Sequence, residues 1–387
     1  MDISIYFNPL PVDVDFPLNS LGSFTRFYTE ASFPDLEGVQ IAVVGVEEGR
    51  GSLNNQGCEH APDIVRDYFY GLYHHSEEIQ IADLGNIQKG ATKEDTYFAL
   101  TEVTEFLAKK NILALIIGGG QDLTVANYKG YEKLEQTVNL AVIDNRFNIG
   151  KPDIPMSAGA YLNKIILHQP NYLFNASVLG FQTYFVSPQD RQLMNDLFFD
   201  VYRLGGIQQD ITRAEPIVRN ADIVSVDVSA IRNADFKANA NTTPNGFYAE
   251  QICQIMRYAG MSDKLTSLGI YEYNPQLDTN KKMSAQLIAQ MLWCVVDGYA
   301  NRKKDFPIGT KENYIKYRIH IENTEHELVF YKSDKSERWW MEIPYPPHER
   351  VRFERHHLVP CNYQDYLDAS KNHIPDLWWK TYQKLQY

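Results

Sequence analysis

Val142-Ile143-Asp144-Asn145-Arg146-Phe147-Asn148 decides how this chain is read. Two other stretches are built like it: Leu115-Ile116-Ile117-Gly118-Gly119-Gly120-Gln121-Asp122 upstream, and Ile223-Val224-Ser225-Val226-Asp227-Val228-Ser229 downstream. Each is a short apolar run that breaks abruptly into polar residues. A buried parallel strand ends this way at its carboxyl end, where open α/β sheets place their binding crevice. The three ends are expected to meet in one pocket.

Outward from these strands, apolar runs at 39–46, 79–84, 172–178 and 265–271 read as further strands. Helical spacing marks 92–110, with Phe98, Leu100, Val103, Phe106 and Leu107 on one face, and also 122–134, 188–198, 247–259 and 284–299. Ala61-Pro62 opens another helix, since proline fits the first turn. Strands alternating with helices predict an α/β fold, a three-layer α/β/α arrangement on a mostly parallel sheet. After Asp305-Phe306-Pro307 the rhythm changes. Tyr317-Arg318-Ile319-His320-Ile321 and Leu328-Val329-Phe330-Tyr331 alternate around the polar turn Asn323-Thr324-Glu325, a hairpin pattern. Trp339-Trp340-Met341, the Pro-rich 343–347 and a final helix with Trp378-Trp379 follow. The expected organisation is an N-terminal arm (1–37), an α/β domain (38–305) and an aromatic-rich C-terminal appendix (306–387) of β-hairpin and helix.

Among the 387 residues, 44% are hydrophobic and 22% charged, an ordinary globular composition. A net charge of −12 argues against nucleic acid as partner, because phosphate backbones need a basic footprint. The start, Met1-Asp2-Ile3-Ser4-Ile5-Tyr6-Phe7, lacks the basic and apolar regions of a signal peptide. No apolar run approaches the ~20 residues of a membrane helix. Cys58, Cys253, Cys294 and Cys361 form no CxxC pair and read as reduced thiols of a cytoplasmic protein.

The strand ends resemble the ureohydrolases: arginase, agmatinase and formimidoylglutamase. That family carries GGDHS, DAHxD and SxDxDxxDP at successive strand ends, and an acidic residue in an E-x-N-P segment. The corresponding residues are Gly118-Gly119-Gly120-Gln121-Asp122, Asp144-Asn145-Arg146-Phe147-Asn148, Ser225-Val226-Asp227-Val228-Ser229 and Glu272-Tyr273-Asn274-Pro275. Gly57, Ala61-Pro62 and Arg66 match the family's first loop, and Asn245-Gly246-Phe247 matches the approach to a later helix. The resemblance spans residues 38–302 and looks closest to formimidoylglutamase-like proteins of one bacterial lineage. It implies hydrolysis of an amidine or guanidine carbon by a hydroxide between two Mn²⁺ ions, which lower the pKa of bound water. Two His and four Asp ligands are implied. Carried over singly, the His of GGDHS falls on Gln121. Asp144 is kept, Arg146 stands for the second His, and Asn148 for an Asp. Asp227 is kept, and Ser229 stands for the last Asp.

Gln and Asn offer only a neutral carbonyl, and guanidinium has no lone pair to give. No Mn²⁺ pair or other cofactor is therefore expected unless the site is active. Asp144 and Asp227 would repel across the crevice. The forked donors of Arg146 are expected to satisfy both in place of the metal charge. Three readings stay open for Gln121, Asp122, Asp144, Arg146, Asn148, Asp227, Ser229 and Glu272. They form a structural polar network, a retained pocket that binds a ligand without turnover, or a site with residual hydrolysis. Glu272 is a candidate ligand contact, since the resemblance places this carboxylate opposite a cationic substrate group. Asp122 is a second candidate contact, or the N-cap of the next helix with Thr124. Ser225 and Ser229 lack a histidine base within the motifs. His168 reads as a surface or cap residue, Cys58 as a buried thiol, and Glu47, Glu48 and Arg50 as solvated loop charges. The glycine run lacks the lysine and spacing of a phosphate-binding loop. The aromatic tail either cements the appendix or offers a protein-partner surface. The resemblance also implies a homo-oligomer. Two functions follow: a catalytically inactive scaffold or ligand-binding protein, or an active formimidoylglutamase-type amidinohydrolase.

Overall fold

The computed structural model describes residues 2–11, 15–76, 79–151, 154–307, 311–322, 324, 326–346 and 354–386. Ten strands form its central sheet: β1 (Phe7–Asn8), β2 (Thr25–Phe27), β3 (Ile41–Val46), β4 (Ile81–Ile87), β5 (Leu113–Ile117), β6 (Val138–Ile143), β7 (Leu173–Phe181), β8 (Asp200–Arg203), β9 (Ile223–Asp227) and β10 (Ser267–Tyr271). Their order is β1-β4-β3-β5-β10-β9-β6-β7-β8, with β2 also on β4. Every pairing is parallel except β1 with β4. The period of two sends successive side chains to opposite faces. Leu113, Leu115 and Ile117 pack into the layer that holds helices Ala61–Phe69, Ala249–Gly260 and Met283–Ala300. Ala114 and Ile116 pack into the layer of helix Lys93–Lys109. Covering both faces explains why β5, β6 and β9 are buried throughout.

The expected α/β/α sandwich is present, with four local differences. Residues 1–37 do more than lie on the sheet, because β1 and β2 both add to it at β4. The strand β8 and helix Leu204–Gln209 carry no apolar run that would announce them, as suits a four-residue edge strand. The stretch expected as one helix over 122–134 is Leu123–Lys129, which stops at Gly130, and a separate turn at Glu132–Leu134. Phe98 is 59% exposed; the buried stripe of its helix runs through Thr96, Ala99, Leu100, Val103 and Leu107 instead.

The expected C-terminal hairpin is half of a four-stranded antiparallel sheet, β11 (Tyr314–His320), β12 (Glu327–Ser333), β13 (Trp339–Glu342) and β14 (Leu358–Cys361). Two helices follow it, Tyr363–Ala369 and Asp376–Gln386. Asn323 and Glu325 of the expected turn, and Pro347, lie outside the described residues. Arg219, the last residue of the helix Ala214–Arg219 that precedes β9, holds this sheet against the α/β domain. Its guanidinium donates to the carbonyls of Trp339 (3.2 Å) and Cys361 (3.3 Å) and lies 4.4 Å from the centre of the Trp340 ring. Arg355 pairs with Asp222 at 2.8 Å on the same seam. Trp340 and Trp378 are buried and Trp379 is half-exposed, so most of the large tail aromatics serve packing. Among the described residues no helix is long and apolar enough to cross a membrane.

Candidate functional site

The carboxyl ends of β5, β6, β9 and β10 do converge. Parallel pairing puts Ile117 beside Ile270, Ile143 beside Val226, and Asp227 beside Tyr271. The residues that follow therefore face one point. Gln121 is 0% exposed, Asp144 1% and Asp227 7%; Ser229 and Glu272 are buried as well.

Gln121 sits between the two carboxylates. Its amide nitrogen, turned towards them, donates to Asp144 Oδ2 (3.0 Å) and Asp227 Oδ2 (3.2 Å), while its oxygen accepts from the Tyr161 hydroxyl (3.1 Å). Two carboxylate oxygens facing one amide nitrogen favour this orientation over the alternative, in which Asn148 Nδ2 donates to the Gln121 oxygen at 3.1 Å. Asn148 Nδ2 adds a second donor to Asp144 Oδ2 at 2.7 Å. The remaining oxygens go to the backbone. Asp144 Oδ1 accepts from the amide of Arg146 (3.0 Å), and Asp227 Oδ1 from the amide of Ser229 (2.7 Å). Burial pushes the Asp144 carboxyl well above the usual range, and the negative charge of Asp227 adds to it. Burial raises Asp227 to about 6.

The arginine expectation fails. Arg146 is exposed and its guanidinium rests 4.8 Å from the centre of the Phe185 ring. Only its backbone amide reaches Asp144, and no ion pair joins its side chain to either carboxylate. A guanidinium that keeps its water and a ring to stack on avoids the desolvation that entry between two carboxylates demands. Neutral amides, which are cheaper to bury, satisfy the pair instead.

Glu272 closes the other side. Its carboxylate accepts from the Ser52 hydroxyl, from Asn55 Nδ2 at 2.8 Å and from the backbone amide of Gln121 at 3.0 Å. The backbone there is left-handed, with φ +70°, a conformation that few non-glycine residues adopt. Asn55 and Asn239 hold its carbonyl oxygen, each at 2.9 Å. Burial and the charge of Asp227 push the Glu272 carboxyl up to about 8. Asp122 does not cap the next helix with its side chain. It accepts from the Tyr97 hydroxyl, and burial raises it to about 6. Glu48 is no solvated loop charge: it is fully buried and pairs with Arg50 and Thr96. The glycine run has a packing role, since a Cβ on Gly119 would fall 1.9 Å from the carbonyl oxygen of Glu48. Cys58 is buried. His168 bonds Glu132 at 3.0 Å. Ser225 bonds Thr124 at 2.7 Å. Tyr161, Ser52, Asn55 and Tyr97 complete the cluster without any signal in the motifs, because they arrive from two helices and from the loop after β3.

A pair of divalent cations does not fit this donor set. Two neutral amides, a guanidinium and a hydroxyl stand at four of the six positions that the resemblance implies, and both Asp144 oxygens are already engaged by N–H donors. Among the described residues, no group of three His, Cys, Asp or Glu is placed to hold a metal ion.

The arginase family model matches residues 39–297. The formimidoylglutamase of Staphylococcus haemolyticus is 24% identical over 291 residues, covering 69% of this chain and 92% of that protein. The crystal structure of Trypanosoma cruzi formiminoglutamase with Mn²⁺ superposes with a TM-score of 0.66 at 17% identity, over 74% of this chain and 100% of that one. Formimidoylglutamase of Bacillus subtilis gives 0.66 at 15% identity, over 77% and 97%. These structures share the arginase-like α/β fold; the four-stranded C-terminal sheet lies beyond the residues that the family model matches. The order of the strand-end motifs, the sandwich that carries them and the extent of the match lead to one conclusion: this chain belongs to the arginase family.

Proposed function

We propose that the chain is a catalytically inactive member of its family, retained as a scaffold or ligand-binding protein. The Gln121 carboxamide carries this reading, since it occupies the space between Asp144 and Asp227 and supplies a donor to each. A neutral donor there does what a cation would do for two carboxylates, but cannot lower the pKa of a water or orient a hydroxide. Asn148 and the amides of Arg146 and Ser229 engage the other carboxylate oxygens. The same reading takes Gln121, Arg146, Asn148 and Ser229 as former ligand positions and expects a homo-oligomer in the cytoplasm.

The test is metal content after dialysis against Mn²⁺, with turnover measured on formimidoylglutamate, arginine and agmatine. Metal far below one ion per chain and no turnover are expected. Two Mn²⁺ per chain together with turnover of any of the three would overturn the proposal in favour of an active amidinohydrolase. The combined change Gln121→His, Arg146→His, Asn148→Asp and Ser229→Asp is expected to restore metal binding before activity. If it leaves metal affinity at zero, these positions are not the former ligands.

A further inference from the structure

Helices Ala249–Gly260 and Met283–Ala300 follow β9 and β10 and lie side by side on one face of the sheet. Two glycines bring their backbones together. A Cβ on Gly298 would fall 2.3 Å from the Arg257 carbonyl oxygen, and one on Gly260 would fall 2.2 Å from that of Val295. The Arg257 guanidinium also pairs with Asp297 at 2.6 Å. Positions four apart lie on the same face of a helix. Cys253 is one turn before Arg257, and Cys294 is one turn before Gly298. The close approach at Arg257 and Gly298 is thus continued one turn earlier by two cysteines. Both are free, both are only partly covered, and both line one groove.

We propose that Cys253 and Cys294 form a redox-active dithiol that closes to an intramolecular disulfide with peroxide as oxidant. Both sulfurs line an open groove of about 630 Å³ with His75, Trp293 and Glu250, so a small oxidant can reach them. The other two cysteines, Cys58 and Cys361, are buried. Cys294 acts as the nucleophile and Cys253 as the resolving thiol. The Cys294 thiolate attacks one peroxide oxygen, the O–O bond breaks, and hydroxide leaves as the sulfur becomes a sulfenic acid. Cys253 then attacks that sulfur. The S–S bond forms, the S–O bond breaks, and the oxygen leaves as water with the Cys253 proton. Two thiols and one peroxide give one disulfide and two waters. The groove lies on the helical layer, away from the strand-end cluster, so the proposal does not depend on whether that cluster is catalytic.

The test oxidises the full-length protein with hydrogen peroxide and quenches it with N-ethylmaleimide under native and denaturing conditions. Untreated protein should label at Cys253 and Cys294 natively. After oxidation these two should lose their label, and the intact mass should fall by two hydrogens. A non-reduced digest should contain the peptide pair joined through Cys253 and Cys294, while Cys58 and Cys361 still label on denaturation. The single variant Cys253→Ser should stop at the sulfenic acid of Cys294, trapped by dimedone. A mass gain at both cysteines with no cross-linked peptide, or a disulfide between different chains, would overturn the proposal.

Discussion

Replacing Gln121 by leucine tests what neutralises Asp144 and Asp227. Leucine fills similar space and offers no donor. The change removes the hydrogen bonds to Asp144 Oδ2 and Asp227 Oδ2. It leaves Asp144 with Asn148 and a backbone amide, and Asp227 with Ser229 alone. Hydrogen bonds to charged groups contribute about 1.5–3 kcal/mol each. Protonation of a carboxyl offsets part of the loss, so about 3–5 kcal/mol of unfolding free energy should disappear, the range for breaking a buried charged network. Arg146→Ala removes an exposed side chain resting on Phe185 and should stay within about 0.5 kcal/mol. Equilibrium unfolding in guanidinium chloride at neutral pH, extrapolated linearly, measures both. The opposite order, with Arg146→Ala the more damaging, would show that the guanidinium neutralises the pair and would refute the account of the site. A loss below about 1 kcal/mol for Gln121→Leu would refute the bridging amide.

Three further outcomes are expected. Arg219→Met removes the guanidinium that bonds the carbonyls of Trp339 and Cys361, and should cost about 3 kcal/mol; limited proteolysis should then release the C-terminal sheet before the central one is cut. Tyr97→Phe takes the hydroxyl donor from buried Asp122, whose other oxygen already has no partner; thermal unfolding should report a loss of about 1–3 kcal/mol. Gly119→Ala drives a Cβ into the Glu48 carbonyl, so soluble yield and melting temperature should both fall; an unchanged melting temperature would mean that the first loop moves freely away from the strand end.

The fold was legible because buried parallel strands have a plain signature. The runs ending at Ile117, Ile143 and Asp227 are apolar throughout and stop abruptly in polar residues. The short edge strand Asp200–Arg203 has no such run, since one of its sides has no partner strand. Likewise Pro360 takes a backbone donor out of β14, which reads against a strand although β14 is an edge strand that tolerates it, and a hairpin was all that alternation alone could reveal. At the site, the eight polar residues were identifiable from their places at strand ends, and burial of most of them follows from the fold. Partner choice was not legible. Arg146 and Gln121 both carry donors that suit a carboxylate, and only the direction of the chain after Asp144 sends the guanidinium outward to Phe185. Tyr161, Ser52 and Asn55 reach the cluster from segments whose approach depends on tertiary packing.

On the proposed reading, the two retained carboxylates have something in common that the four positions taken as former ligands lack. Asp144 accepts from the amide two residues on, at Arg146, and Asp227 from the amide two residues on, at Ser229. Each thereby turns the chain out of its strand, as an Asx-turn does. Their carboxylates have a local structural use that would survive the loss of a metal. The side chains at Gln121, Arg146 and Ser229 accept no such backbone bond, and Asn148, at a left-handed φ of +50°, holds a conformation that Asn adopts as readily as Asp, so a change of residue at these positions leaves the strand ends in place. Neutral amides at Gln121 and Asn148 then become favourable, because they bond the retained carboxylates without bringing further charge into a buried crevice. On this argument Asp144→Ala and Asp227→Ala should each destabilise the strand end itself. Hydrogen exchange should accelerate at the amides of Arg146 and Ser229, respectively, whether or not Gln121 is present. Unchanged exchange at those amides would separate the retained carboxylates from the turns and remove this reason for their persistence.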